Sequence, residues 1–153
     1  MKEFDYYIFI DYSENLIGYN IIEAAKIKEL LPKISKFAHY RDLRHKKEYI
    51  NSIKNKIERE EILSYFIKCK IKQLSKNMEI YTEVLQFIKQ HENCIIFISV
   101  DNRQFDAFKK LVDIIENRKV IVKKESELAE ETPEYRISLV LDTLLNIERN
   151  KNK

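Results

Sequence analysis

The chain of 153 residues holds one glycine, two prolines, two cysteines and no tryptophan, and no apolar run in it is long enough to span a membrane. Without about 20 consecutive apolar residues no transmembrane helix is expected. The opening "MKEFDYYIF" carries charges of both signs and runs straight into a strand, unlike a secretory leader with its basic start and apolar middle. A cytoplasmic location is the expectation. Cys69 and Cys94 stand apart, each in a strand-like run, where a thiol reads as a small buried hydrophobe rather than a ligand. Three histidines without Cys/His spacing argue against structural zinc. The net charge of +3 is too small to imply a nucleic-acid partner, so such a partner has to be argued from where the charge lies. The single glycine, with many Lys, Glu and Ile, fits a thermophile or an AT-rich genome.

What is present is a domain-sized chain, 44% hydrophobic and 35% charged. A chain of this length buries roughly 70% of the surface it exposes when unfolded. Residues 1–149 read as one α/β domain and 150–153 as a frayed tail. Five runs read as strands: Tyr6 to Ile10, Lys36 to Tyr40, Tyr65 to Ile71, Cys94 to Ser99 and Lys119 to Lys123. "YYIFI" and "CIIFIS" are nearly continuous in apolar β-formers, the pattern of central strands covered on both faces. "YFIKCKIK" alternates with lysine, as an edge strand should. Helices are expected from Asn15 to Leu31, ending before Pro32, and around Met78 to Ile88 and Phe105 to Ile115. A last helix opens at Thr132-Pro133, after a solvated loop "KKESELAEETPE". Strict β-α alternation predicts a three-layer Rossmann-like domain of about five mainly parallel strands flanked by helices.

Sites in such a sheet form outside the carboxyl ends of its strands. Asp11 ends the first strand and Asp101 follows the fourth, so the two most apolar strands deliver carboxylates to one edge. Neighbouring anions repel unless they share a proton or a cation, and hard oxygen ligands suit Mg²⁺ or Mn²⁺. Glu79, in the first turn after the third strand, is a candidate third acid, with Glu83 on its helical face. Helix capping by the two aspartates, and a dipole contact for Glu79, are the alternative roles. "HYRDLRHKKEY" sets Arg41, Arg44, His45, Lys46 and Lys47 at the same edge with Tyr40 and Tyr49 interleaved. Arg103 adjoins Asp101. Basic groups and stacking rings in that arrangement suit a single-stranded RNA path.

"FIDYSENL", "KQLSKNMEIYTEVL" and "ISVDNRQFDAFKKL" followed by "NRKVIV" are together similar to the NYN branch of the PIN-like nucleases, over roughly Tyr7 to Val122. The resemblance implies hydrolysis of RNA phosphodiesters with a divalent metal held by Asp11, Asp101 and Glu79. It also implies that Asn15 orients Asp11 or a metal-bound water, and that Ser99 and Asn102 donate to the phosphate. The chain departs from the pattern by one extra residue in each of the two aspartate motifs and by Gln104, where the family has an acid. Gln104 favours a second reading, a non-catalytic PIN-like module binding RNA or protein. A third reading follows from "DYSEN", which resembles the Asp-x-Ser-x-Asn first motif of an RNase H-like family and would recruit Asp142 from "SLVLDTLL" as a late metal ligand. That fold requires an antiparallel hairpin directly after the first strand, where "NIIEAAKIKELL" reads as helix. A homodimer is compatible with the sequence, but no stretch marks its surface.

Overall fold

A computed structural model of the chain describes residues 3–99, 102–114 and 120–151. The first strand, β1 (Tyr6–Ser13), forms where its apolar run predicts but does not stop at Asp11. It continues through Tyr12 and Ser13, turns over two residues and returns as β2 (Leu16–Glu23). Ser13 faces Leu16 across this hairpin, and Asp11 faces Gly18. Where a helix was expected from Asn15 to Leu31, only the second half is helical, as α1 (Ala24–Leu30) followed by a 3₁₀ turn over Leu31–Ile34.

Both local signals of a hairpin are missing here. The first turn residue, Glu14, sits at φ 54°, a left-handed conformation that favours Gly or Asn. In β2 every residue except Glu23 is buried, so no polar-apolar alternation marks it as a strand. The strain is testable. Glu14→Gly is expected to raise unfolding stability by about 0.5–1 kcal/mol in urea melts. No gain would mean that the Glu14–Arg149 ion pair, at 3.4 Å, offsets the backbone cost.

The expected strand at Lys36 to Tyr40 is instead a loop that ends in a 3₁₀ turn, Tyr40–Asp42. Side chains of α2 (Lys46–Arg59) and α5 (Pro133–Lys151) take the donors a sheet ladder would use. Ala38 N–H donates to the Tyr49 hydroxyl at 3.1 Å, and Tyr40 N–H to the Asp142 carboxylate at 2.9 Å. A 3₁₀ turn over Ile62–Tyr65 then leads into β3 (Phe66–Gln73), which pairs antiparallel with β2 and forms the edge its lysines predict.

The remaining elements are α3 (Asn77–Gln90), β4 (Cys94–Ile98), α4 (Asn102–Ile114), β5 (Val120–Lys124) and α5. The last helix opens as expected, with Tyr135 N–H donating to the Thr132 hydroxyl at 3.2 Å. It runs on through Asn150 and Lys151, which the sequence assigned to a frayed tail. Asn150 Nδ2 donates to the Asn146 carbonyl at 2.7 Å within it.

The sheet order is β3-β2-β1-β4-β5. β1 and β4 are parallel neighbours, as are β4 and β5, whereas β1–β2 and β2–β3 are antiparallel. The three-layer α/β class with five strands stands, but the sheet is mixed because β2 arrives by a hairpin rather than a crossover. Tyr7, Phe9, Ile95 and Phe97 pack under α1, α2 and α5 on one face. Ile8, Ile10, Ile96 and Ile98 pack under α3 and α4 on the other. Among the described residues no helix is long and apolar enough to cross a membrane.

Candidate active site

The parallel register sets the site. Ile10 lies beside Ile98, and Ile98 beside Lys124. The next residue of each segment, Asp11, Ser99 and Glu125, therefore stands in one row at the carboxyl end of the parallel strands. Ser99 N–H continues the ladder by donating to the Ile10 carbonyl at 3.0 Å. Strand alternation turns Asp11 to the same face as Tyr7 and Phe9, the face covered by α5. Asp142 comes from the middle of that helix, and Asp11 and Asp142 are each only 7% exposed.

The close approach of α5 to the hairpin depends on the chain's single glycine. A Cβ at Gly18, opposite Asp11, would lie 3.0 Å from Leu141 Cδ1 and 3.2 Å from Leu145 Cδ2, both on α5. The helix that carries Asp142 is thus seated where the hairpin has no side chain.

Burial and mutual repulsion govern these carboxyls. Burial, then the charge of Asp142, pushes Asp11 up to about 7, against hydrogen bonds from Tyr12 N–H and the Ser99 hydroxyl. Burial, then Asp11 and Asp142, pushes Glu125 up to about 9, with Arg41 opposing. Asp142 is raised by burial, against the Tyr40 N–H bond and the charges of His39, Arg41 and Arg149. Because the shifts are upward, the folded chain holds protons that the unfolded chain has released. The stability these acids contribute is complete below about pH 4 and lost as pH rises through about 7 and 9. Thermal melts of chelated protein are expected to show a midpoint falling between about pH 5 and 9. Asp142→Asn, which removes one of the three charges, should flatten the fall; an unchanged slope would show that the acids do not sense one another.

Asp11 and Glu125 stand two strands apart, about 10 Å between backbones. Among the described residues no three acidic, histidine or cysteine side chains stand in a ready-made cage for a cation. Asp101, expected from the sequence after the fourth strand, lies outside the described residues. The donor type suits a hard cation, since carboxylates lie along one strand edge and each keeps lone pairs beyond its hydrogen bonds.

The other expected site residues divide. Ser99 is at the site but donates to Asp11, which leaves its phosphate role without support. Asn15 is in the hairpin turn, with its amide 3.4 Å from Gln73 Oε1 and not on Asp11. Glu79 does not join the cluster. It pairs with Lys72 at 2.8 Å, and Lys72 lies across from Ile17 and Tyr12, on the opposite face of the sheet from Asp11. Glu83 sits on that face too, bound by Lys70 and the Tyr19 hydroxyl. The α3 acids were misassigned because a parallel third strand would have brought α3 to the site, whereas β3 is an antiparallel edge. Glu125 was missed as part of a solvated loop. The signal available was its position directly after a strand, the same relation Asp11 and Asp101 bear to theirs.

The basic segment does reach the site. Arg41 and Lys46, with His39, Tyr40 and Arg149, line a cleft of about 310 Å³ that includes Asp142. His39 Nε2 is 3.9 Å from Asp142 Oδ1. Lys47 lies in an adjoining groove. Arg44 and Arg103 are exposed. Asn102 begins α4, and its side chain is outside the described set. A larger cavity of about 540 Å³, floored by Tyr7, Phe97 and Ile121, contains none of the three acids.

No protein-family model matches the chain, and no curated protein matches its sequence. Among solved structures the fold is similar to a chain of the PCNA:RNase HII complex from Archaeoglobus fulgidus, with a TM-score of 0.52 and 11% sequence identity. The match covers 95% of this chain and 72% of that one. At this identity the likeness is one of fold, a five-stranded mixed sheet flanked by helices.

Proposed function

We propose that this protein is an RNase H-like nuclease that hydrolyses RNA phosphodiesters with Mg²⁺ or Mn²⁺ held by Asp11, Glu125 and Asp142, together with Asp101. One observation carries the reading: Asp11 and Glu125 each follow directly on the last paired row of the parallel strands, and α5 brings Asp142 to the same edge. The β1–β2 hairpin that an RNase H-like chain requires supports it, as does the fold of the RNase HII neighbour. The side chain of Gln104, whose lack of charge favours the non-catalytic reading, lies outside the described residues.

The bound cation would lower the pKa of a coordinated water and neutralise charge on the phosphate. The chain's own groups do the rest. Ser99 and Tyr12 N–H hold the Asp11 carboxylate in one orientation. Tyr40 N–H and Asn146, which donates to the Asp142 carbonyl at 2.7 Å, fix the turn of α5 that carries Asp142. Arg41 and Lys46 present positive charge to a phosphate entering the cleft.

Calorimetric titration of Mn²⁺ into metal-free protein at low salt tests the proposal. Binding by the wild type that Asp11→Asn or Glu125→Gln abolishes is the expected result. A wild type that binds no Mn²⁺ overturns it and favours the non-catalytic RNA- or protein-binding module.

A further inference from the structure

The cleft beside Asp142 does not end at Arg149. It shares Tyr40 and Lys46 with a second groove of about 460 Å³ that runs between α2 and the last turns of α5. The floor of this groove is apolar, formed by Ile50 and Ile147, and its walls carry Lys47, Lys54 and Lys151 beside Lys46. No carboxylate lines it. In a chain with 28 basic and 25 acidic residues, a groove with four lysines and no acid is a local excess that the net charge conceals. Lys151 does contact Glu148 at 3.6 Å, but that carboxylate is not among the lining groups.

The junction is built for an anionic ligand. Lys46 Nζ and the Arg149 guanidinium both sit over the Tyr40 ring, 5.6 and 5.3 Å from its centroid.

We propose that a single nucleic-acid strand lies along the α2/α5 groove, its phosphates on Lys46, Lys47, Lys54 and Lys151, and passes Tyr40 to reach the acid cluster. The inference rests on the nuclease reading of that cluster and adds the direction of the strand across the fold. From Lys47 to Lys54 the helix rises about 10 Å, room for about three stacked nucleotides at about 3.4 Å each. Asn51 adds a neutral donor along the same walls. Phosphate recognition by lysine is indifferent to the sugar, so the groove should take RNA and DNA alike, leaving any choice between them to the acid cluster.

The test uses the full chain carrying Asp11→Asn, so that binding is read without cleavage. Labelled single strands of 4 and 12 nucleotides, as RNA and as DNA, are titrated by fluorescence anisotropy over a range of KCl concentrations. Lys47→Glu with Lys54→Glu is expected to weaken the 12-mer at least tenfold and to reduce the salt slope by about 1.4, two phosphates at about 0.7 each. The 4-mer, held at the acid cluster, should change less than twofold. The pair Lys47→Gln and Lys54→Gln, which removes charge without reversing it, should act in the same direction by a smaller factor. Unchanged 12-mer affinity and slope in both pairs overturn the groove, as does an equal loss for both lengths. The failures separate: wild-type protein that binds the 12-mer through these lysines but never cleaves it sinks the nuclease reading alone, and cleavage indifferent to the lysine pairs sinks the groove alone.

Discussion

On the nuclease reading proposed above, Asp142→Asn is expected to lower metal-dependent cleavage of single-stranded RNA by about two to three orders of magnitude, and Asp11→Asn to do the same. An acid that holds a divalent cation contributes several kcal/mol of charge stabilisation, and about 3–4 kcal/mol corresponds to that factor. Asparagine keeps an oxygen acceptor for Tyr40 N–H, which now bonds to Asp142 at 2.9 Å, so the loss should come without unfolding. Glu79→Gln is the contrasting variant. Glu79 is paired with Lys72 on the far face of the sheet, and its loss should leave the rate within about twofold. Single-turnover cleavage under Mn²⁺, with circular dichroism to confirm folding, reads all three. A dead Glu79→Gln beside an active Asp142→Asn would move the site to α3 and refute the arrangement described above.

The second large effect is at Gly18. Gly18→Ala brings a methyl to 3.0–3.2 Å from the ends of Leu141, Ile71 and Leu145, contacts that small shifts of flexible side chains relieve. About 1 kcal/mol is expected, partly offset by the reduced freedom of the unfolded chain. Gly18→Val adds two more carbons to a filled space and should cost about 3 kcal/mol in chemical denaturation. Because Leu141 precedes Asp142, lifting α5 off the hairpin also moves the carboxylate. The valine variant should therefore bind Mn²⁺ more weakly even at temperatures where it stays folded. Full metal affinity in a destabilised Gly18→Val would separate the seat of α5 from the geometry of the site.

Much of this fold can be read locally. The runs at Tyr6 to Ile10 and Cys94 to Ser99 are adjacent strands in the middle of the sheet because continuous apolar β-formers are stable only when covered on both faces. The apolar stripes of α3 and α4 meet one face of the sheet, as their spacing predicts. β2 escaped because burial on both faces erased its alternation and a glutamate stands in a left-handed turn position. Once β2 was read as helix, the third strand seemed to arrive by a crossover, and Glu79 fell on the wrong side of the sheet.

The sequence by itself determined that this is an α/β protein and that Asp11 ends the buried part of a central strand at the edge where sites form. The basic segment around Arg41 and Lys46 reaches that edge not by the expected second strand but through a loop tied to α5 by the Tyr40–Asp142 hydrogen bond. Only the tertiary structure decided which acids join Asp11. Glu125 reaches it through a register running across three strands, and Asp142 through the seating of α5 on the single glycine. Neither relation has a local signature, because each joins residues far apart in the chain that meet only when the sheet and its covering helix are packed.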